Sequence, residues 1–208
     1  MLIYPTKEFL EVFKSTSGAL SVTESISIMN IAALAPEGIY LELGTYRGKS
    51  AMSALVSLKN GIFYLVEPEF NDEIEFNEMV IRLGYKNHVS INLIKAYSTD
   101  IIGDYNNLCY VFVDSGSHQD GLPMREVTLL EDKVVQGGIV AFHDWNSQFK
   151  EVKEASDYLV STGKYEYISI NWDEIISYVN ENNLEEGNNS WHHTELKNPC
   201  FVGAVKRK

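Results

Sequence analysis

The stretch that most constrains this chain is Ile39-Tyr40-Leu41-Glu42-Leu43-Gly44-Thr45-Tyr46-Arg47-Gly48-Lys49-Ser50. Apolar residues surround a single acid, Glu42, in the manner of a buried parallel strand. A glycine, a short polar turn and a second glycine follow. Behind Gly48, residues Ala51, Ala54, Leu55 and Leu58 recur at i, i+3, i+4 and i+7, the stripe of a helix packed on a sheet. The unit therefore reads as strand, glycine turn, helix. Glycine admits turn geometries that a side chain forbids, and the free N–H groups at a helix start favour a carboxylate or phosphate. The pattern E-x-G-x-x-x-G-x-S lacks both G-x-G-x-x-G and the Gly-Lys-Ser/Thr end of a phosphate loop. By itself it also describes a tight turn with no ligand, so the rest of the chain has to decide.

Strand and helix signals alternate from there on. Lys7 to Lys14 reads as a short helix. Ser21-Val22-Thr23-Glu24 has capping-box spacing and opens a second helix, which Pro36 and Gly38 end. After the glycine unit, Asn60-Gly61 closes its helix and Ile62 to Val66 forms a strand ending in Glu67. Asn71 or Asp72 caps the next helix, and Gly84 stops it. His88 to Lys95 alternates as a third strand, followed by Tyr97-Ser98 and a helical turn. Cys109 to Val113 is a fourth strand ending in Asp114-Ser115-Gly116-Ser117-His118. Pro123 opens a helix whose stripe runs to Val134, Gly137-Gly138 breaks it, and Ile139 to Phe142 is a fifth strand ending in His143-Asp144. Ser147 caps a helix with Phe149, Val152 and Leu159, and Tyr165 to Asn171 is a sixth strand. About 180–198 reads as a long variable loop, and Cys200 to Val205 as the last strand.

This order implies one α/β domain over residues 1–208: a doubly wound, mostly parallel, Rossmann-like sheet of seven strands with helices on both faces. Residues 1–36 supply N-terminal helices that either cover the ligand side or pack on the sheet edge. In such sheets ligands lie beyond the carboxyl ends of the strands, where strand order reverses. The candidate residues are thus the polar ones that follow each strand.

Charge and cysteine usage narrow the function classes. The formal net charge is −12, with 29 acidic and 17 basic residues, a field that repels a phosphate backbone and argues against a nucleic-acid partner. Lys206-Arg207-Lys208 reads as a solvated end. Cys109 and Cys200 fall in strand-like runs and read as buried free thiols of a reducing compartment. No run is long enough to span a bilayer and the first residues lack signal-peptide form, so a cytoplasmic protein is expected, with no membrane partner. The sequence leaves a homo-oligomer open.

Taken together, E-x-G-x-x-x-G-x-S, an acid ending the next strand, an Asp-Gly-x-His-like end on the fourth strand and Gly137-Gly138-Ile139-Val140-Ala141-Phe142-His143-Asp144 resemble the class I S-adenosylmethionine-dependent methyltransferases. The small O-methyltransferase-like group is the nearest in pattern. The resemblance implies S-adenosylmethionine as cofactor and a hydroxyl of a small molecule, a sugar or a secondary metabolite, as methyl acceptor. It places the cofactor's carboxylate near Thr45, Tyr46 and Gly48 with Ser50, its cationic end toward Glu42, its ribose on Glu67 and its adenine beside Tyr97 and Ser98; Gly44 and Asp114 complete the cofactor set. It makes His143 and Asp144 the catalytic residues, His143 as acceptor base or metal neighbour. It makes Asp114 and Asp144 ligands for Mg2+ or another divalent cation. One departure stands out: His118 lies one residue further from Asp114 than the group's pattern puts it, so either the loop bulges or His118 has no role. Trp191-His192-His193 has only weak metal spacing. Two other classes stay open, a nicotinamide-dependent oxidoreductase, which would want the absent G-x-G-x-x-G, and a relative that keeps the adenosyl site with no or different catalysis.

Overall fold

In a computed structural model, residues 2–69, 73–84, 88–116, 118–145, 149–184 and 202–208 are described. Two helices lead, α1 (Lys7–Ser15) and α2 (Val22–Ala32), and the expected capping box forms at Ser21 and Glu24. Then follow β1 (Gly38–Leu43), α3 (Lys49–Leu55), β2 (Gly61–Val66), α4 (Glu73–Arg82) and β3 (Val89–Ile94). The second half runs α5 (Ser98–Ile101), a 3-10 turn, β4 (Leu108–Val113), α6 (Leu122–Leu130), β5 (Val134–Phe142), α7 (Lys150–Ser161), β6 (Tyr165–Tyr167), α8 (Trp172–Glu181) and β7 (Gly203–Arg207).

The seven strands form one sheet in the order β3-β2-β1-β4-β5-β7-β6. β1 to β5 are parallel, and β7 runs antiparallel between β5 and β6. Strand order reverses between β1 and β4, which opens the ligand crevice of an open α/β sheet at their carboxyl ends. Successive side chains of a strand point to opposite faces. Tyr40, Phe63, Tyr110, Phe112 and Ala141 therefore join one core with α1 to α4 and α8, while Leu41, Leu43, Val111, Val113 and Phe142 join a second core with α6 and α7.

Several element boundaries differ from the sequence expectation for identifiable reasons. The Gly-Gly pair does not end a helix. It lies inside β5, where β4 advances from Leu108 to Tyr110 while β5 advances from Val134 to Ile139. Gly137 takes φ +78°, and a Cβ on Gly138 would meet Leu108 O at 2.9 Å, so the pair builds a bulge. Helix α3 stops at Leu55, before Asn60-Gly61. The sixth strand ends at Tyr167, and α8, which the sequence pattern did not suggest, follows it. Lys206 and Arg207 are not a solvated tail: they pair within β7, and the Arg207 guanidinium donates to Val134 O. Cys109 is free and buried. The caps expected at Asn71, Asp72 and Ser147, the Trp191-His192-His193 cluster, Cys200 and residues 185–198 of the expected loop lie outside the described residues. Among the described residues no helix is long and apolar enough to cross a membrane.

Candidate active site

Glu42 takes the site-side position near the end of β1, in register between Leu65 of β2 and Phe112 of β4. Its side chain is fully buried. Oε1 accepts a hydrogen bond from Ser50 Oγ at 3.0 Å, and Oε2 has no hydrogen-bond partner. Burial pushes its carboxyl up to about 8, with the charge of Asp114 adding to the rise and the Ser50 hydroxyl opposing it. Thr45 is buried too, with its Oγ1 unpartnered. The turn after β1 is held from β2: Tyr46 N donates to Glu67 Oε2 at 3.0 Å, while Glu67 Oε1 accepts from Glu69 N.

The two glycines of this turn serve the protein's own packing. Gly44 has φ +87°, and a Cβ there would sit 2.2 Å from Asp114 O. At Gly48, φ +79°, a Cβ would stand 2.3 Å from the Phe76 ring of α4. Gly44 thus lets the ends of β1 and β4 meet, and Gly48 lets α4 close over the turn.

At the neighbouring strand ends the chain assembles a cluster of four side chains. His143 Nδ1 lies 3.1 Å from Asp114 Oδ1 and 3.6 Å from Asp144 Oδ2. His118 Nε2 lies 3.1 Å from the same Asp114 oxygen and 3.3 Å from the same Asp144 oxygen. The loop after β4 accommodates its extra residue with left-handed backbone at Gly116 and His118, φ +63° and +54°, and Asp144 is left-handed as well at +56°. His118 therefore belongs to the constellation. Helix α2 covers it from outside the sheet and brings Glu24 Oε1 to 3.5 Å from His143 Nε2. The capping box that orients Glu24 is thus part of the site: its Oε2 accepts from Ser21 N and Ser21 Oγ, both at 2.8 Å. Of the two placements open for the N-terminal helices, the structure takes the ligand side.

Charge couples these groups. Burial works against the charged form of His143, but Asp114 and Glu24 outweigh it and hold the imidazole well above its ordinary value. Burial likewise works against His118, and Asp114 and Asp144 raise it nonetheless. Asp114 is held below the usual carboxylate range because the two imidazoles overcome its burial.

A cleft of about 170 Å3 joins the glycine turn to this cluster, walled on the far side by Ser17 to Leu20 between α1 and α2. Thr45, Tyr46, Ser50, Asp114, His118, His143 and Asp144 line it, and Glu42 is tied to it through Ser50. Of the expected cofactor residues, Gly48, Glu67, Tyr97 and Ser98 do not line this cleft. Glu67 braces its rim through Tyr46. Tyr97 is 66% exposed, and Ser98 is buried and hydrogen-bonds the buried Glu126. Glu24 was legible only as a cap and Lys49 only as part of the turn; in the structure Lys49 is buried, 4.3 Å from the Phe13 ring, and lines the cleft.

A glycine turn, an acid buried behind it and a polar cluster at the ends of β4 and β5 are the features to which the methyltransferase resemblance pointed, and a family comparison decides the family. A model described as "Methyltransferase domain" matches residues 41–145, just over half of the chain and all of the strand ends just described. The chain belongs to this methyltransferase-domain family. Solved structures share the fold at low identity. The O-methyltransferase TomG from Streptomyces achromogenes, in complex with SAM, matches with TM-score 0.61 and 15% identity over 82% of this chain and 85% of that one. Precorrin-6y C5,15-methyltransferase from Geobacter metallireducens matches with TM-score 0.59 and 14% identity over 81% and 87%. An rRNA methylase from Streptococcus thermophilus matches with TM-score 0.55 and 11% identity over 88% and 93%. No curated protein matches the sequence. The family places the seven-stranded fold among methyltransferases, and the structural neighbours include an O-methyltransferase, a precorrin methyltransferase and an rRNA methylase.

Proposed function

We propose that this protein transfers the methyl group of S-adenosylmethionine to a hydroxyl oxygen of a small molecule, a sugar or a secondary metabolite. The observation that carries the reading is the cleft that runs from the β1 turn to the cluster of Asp114, His118, His143 and Asp144. A methyl donor and an acceptor have to meet end to end, and the two halves of this cleft offer different chemistry for each. At the turn end, the buried Glu42 with its unpartnered Oε2 suits the donor's ammonium. The backbone of Thr45 to Gly48, with Ser50, suits its carboxylate. Glu67 ends β2 beside that turn and suits the ribose hydroxyls, with Tyr97 and Ser98 beyond for the adenine.

The reaction is an in-line displacement in which the protein supplies mainly position. The carbon–sulfur bond breaks with its electron pair left on sulfur, giving adenosylhomocysteine, and the carbon–oxygen bond forms as the hydroxyl proton leaves. Asp114 and Asp144 suit Mg2+ or another divalent cation, which when bound would orient the hydroxyl and lower its pKa. The surrounding carboxylates hold the His143 imidazole above its ordinary value, and a cation bound at Asp114 and Asp144 would oppose that rise. Of the two roles expected for His143, the cation neighbour is supported by its Nδ1, which stands 3.1 Å from Asp114 Oδ1 and 3.6 Å from Asp144 Oδ2. The net charge of −12 supports a small acceptor over RNA, although rRNA methylases are among the structural neighbours. A panel of hydroxylated acceptors, with an RNA control, assayed by adenosylhomocysteine release with and without divalent cation, tests the reading. Turnover on a hydroxylated small molecule supports it; turnover on RNA alone contradicts it.

A further inference from the structure

Two carboxylates and two imidazoles are an unusual donor set for magnesium, which prefers oxygen ligands and retained waters. One donor atom from each of Asp114, His118, His143 and Asp144 lies within 4.8 Å of all the others. The four nitrogen-to-oxygen separations are 3.1, 3.3, 3.1 and 3.6 Å. Donors bound at ~2.1 Å from one metal stand about 3.0 Å apart at a right angle and about 3.4 Å apart at the tetrahedral angle. Three of the observed separations fall within that range, and the fourth, 3.6 Å, lies just beyond it.

The arrangement differs from a chain of pairwise ion pairs. Both ring nitrogens face the same oxygen of Asp114 and the same oxygen of Asp144, so the four atoms surround one point. Asp144 is 4% exposed, yet its other oxygen, Oδ1, has no hydrogen-bond partner. His143 presents Nδ1 to this point and turns Nε2, which has no hydrogen-bond partner, toward Glu24 Oε1 at 3.5 Å, the side from which a carboxylate orients a ligating imidazole. We propose that Asp114, His118, His143 and Asp144 bind one first-row transition-metal dication, of the Co2+, Fe2+, Mn2+ or Zn2+ kind, in preference to Mg2+, with Glu24 positioning His143. That this metal would stand beside a methyl acceptor rests on the function proposed above; the donor geometry does not.

The test uses the full chain, stripped with chelator, and Co2+ as probe. Titration followed by visible absorption and calorimetry should show one Co2+ per chain, with Mg2+ competing at least ~100-fold less well. His118→Ala, its fold checked by circular dichroism, should lose at least ~100-fold in Co2+ affinity. Glu24→Gln, which preserves the capping box, should lose ~10–100-fold. Equal affinity for Mg2+ and Co2+, or unchanged Co2+ affinity in His118→Ala, would overturn the proposal. Should His118→Ala fail to fold, Glu24→Gln decides by the same criterion. Calorimetry with adenosylhomocysteine on the same samples separates the two readings. Co2+ binding without adenosylhomocysteine binding leaves the metal site standing and removes the methyltransferase function, and the reverse removes the metal site alone.

Discussion

At the residue scale, Glu42 and His143 carry the sharpest expectations. Glu42 is protonated at neutral pH because burial holds its carboxyl at about 8. An ammonium placed beside it would favour the carboxylate, so binding of adenosylhomocysteine near pH 7 should release up to one proton. Calorimetry in two buffers of different ionisation enthalpy measures that number, and Glu42→Gln should reduce it toward zero. His143→Ala should cut turnover by roughly a hundredfold or more while leaving adenosylhomocysteine affinity within a few-fold, as single-turnover and binding measurements would show. Gly44→Ala has a different outcome from simple loss of cofactor. Its Cβ would collide with the Asp114 carbonyl and its φ is left-handed. The variant should lose stability by about 1–3 kcal/mol or more and displace Asp114, visible in thermal unfolding and in Co2+ binding together. The sequence named Glu42, Asp114, His143 and Asp144 because each follows a legible apolar run. It could not connect Glu24 to His143, since that contact joins residues far apart in the chain through the packing of α2. Nor could spacing show that left-handed backbone at Gly116 and His118 returns a displaced histidine to the cluster.

At the scale of elements, α2 links stability to the site. Ser21 caps the helix and anchors Glu24 through two hydrogen bonds. Ser21→Ala should destabilise the protein by ~1 kcal/mol. In a chain of this size that is roughly a 2–4 °C fall in Tm, measurable by calorimetry. It should also weaken metal binding, because Glu24 loses one of the contacts that holds it toward His143. Helix α2 and its box were legible from Ser21 to Glu24, whereas α8 was not, because residues 172–181 follow a three-residue strand with no glycine or proline between them. The Gly-Gly pair was read as a helix stop for a related reason. Glycine punctuates both helices and bulged strands, and only the register against β4 distinguishes them.

At the scale of the whole molecule, the parallel sheet, the reversal between β1 and β4 and the two cores follow from the alternation of buried strands and amphipathic helices, which any reading of periodicity recovers. The cost of placing an acid in that core is global. The folded value of Glu42, about 8, exceeds its ordinary 4.5. Its contribution to stability is therefore fully present below pH 4.5 and is lost as pH rises through about 8. Glu42→Gln removes this dependence. Its stability relative to the wild type, both free of cofactor, should improve by up to ~1.4 kcal/mol per pH unit across that window and level off above it, as urea unfolding at several pH values would show. The account's central claim is that the adenosyl cofactor binds at the carboxyl ends of β1 and β2, with its methionyl end in this cleft. Isothermal titration of the full chain with adenosylhomocysteine tests it most directly: the account predicts saturable binding at one site per chain, weakened by Glu67→Ala and by Glu42→Gln, whereas no binding heat at millimolar ligand would contradict it.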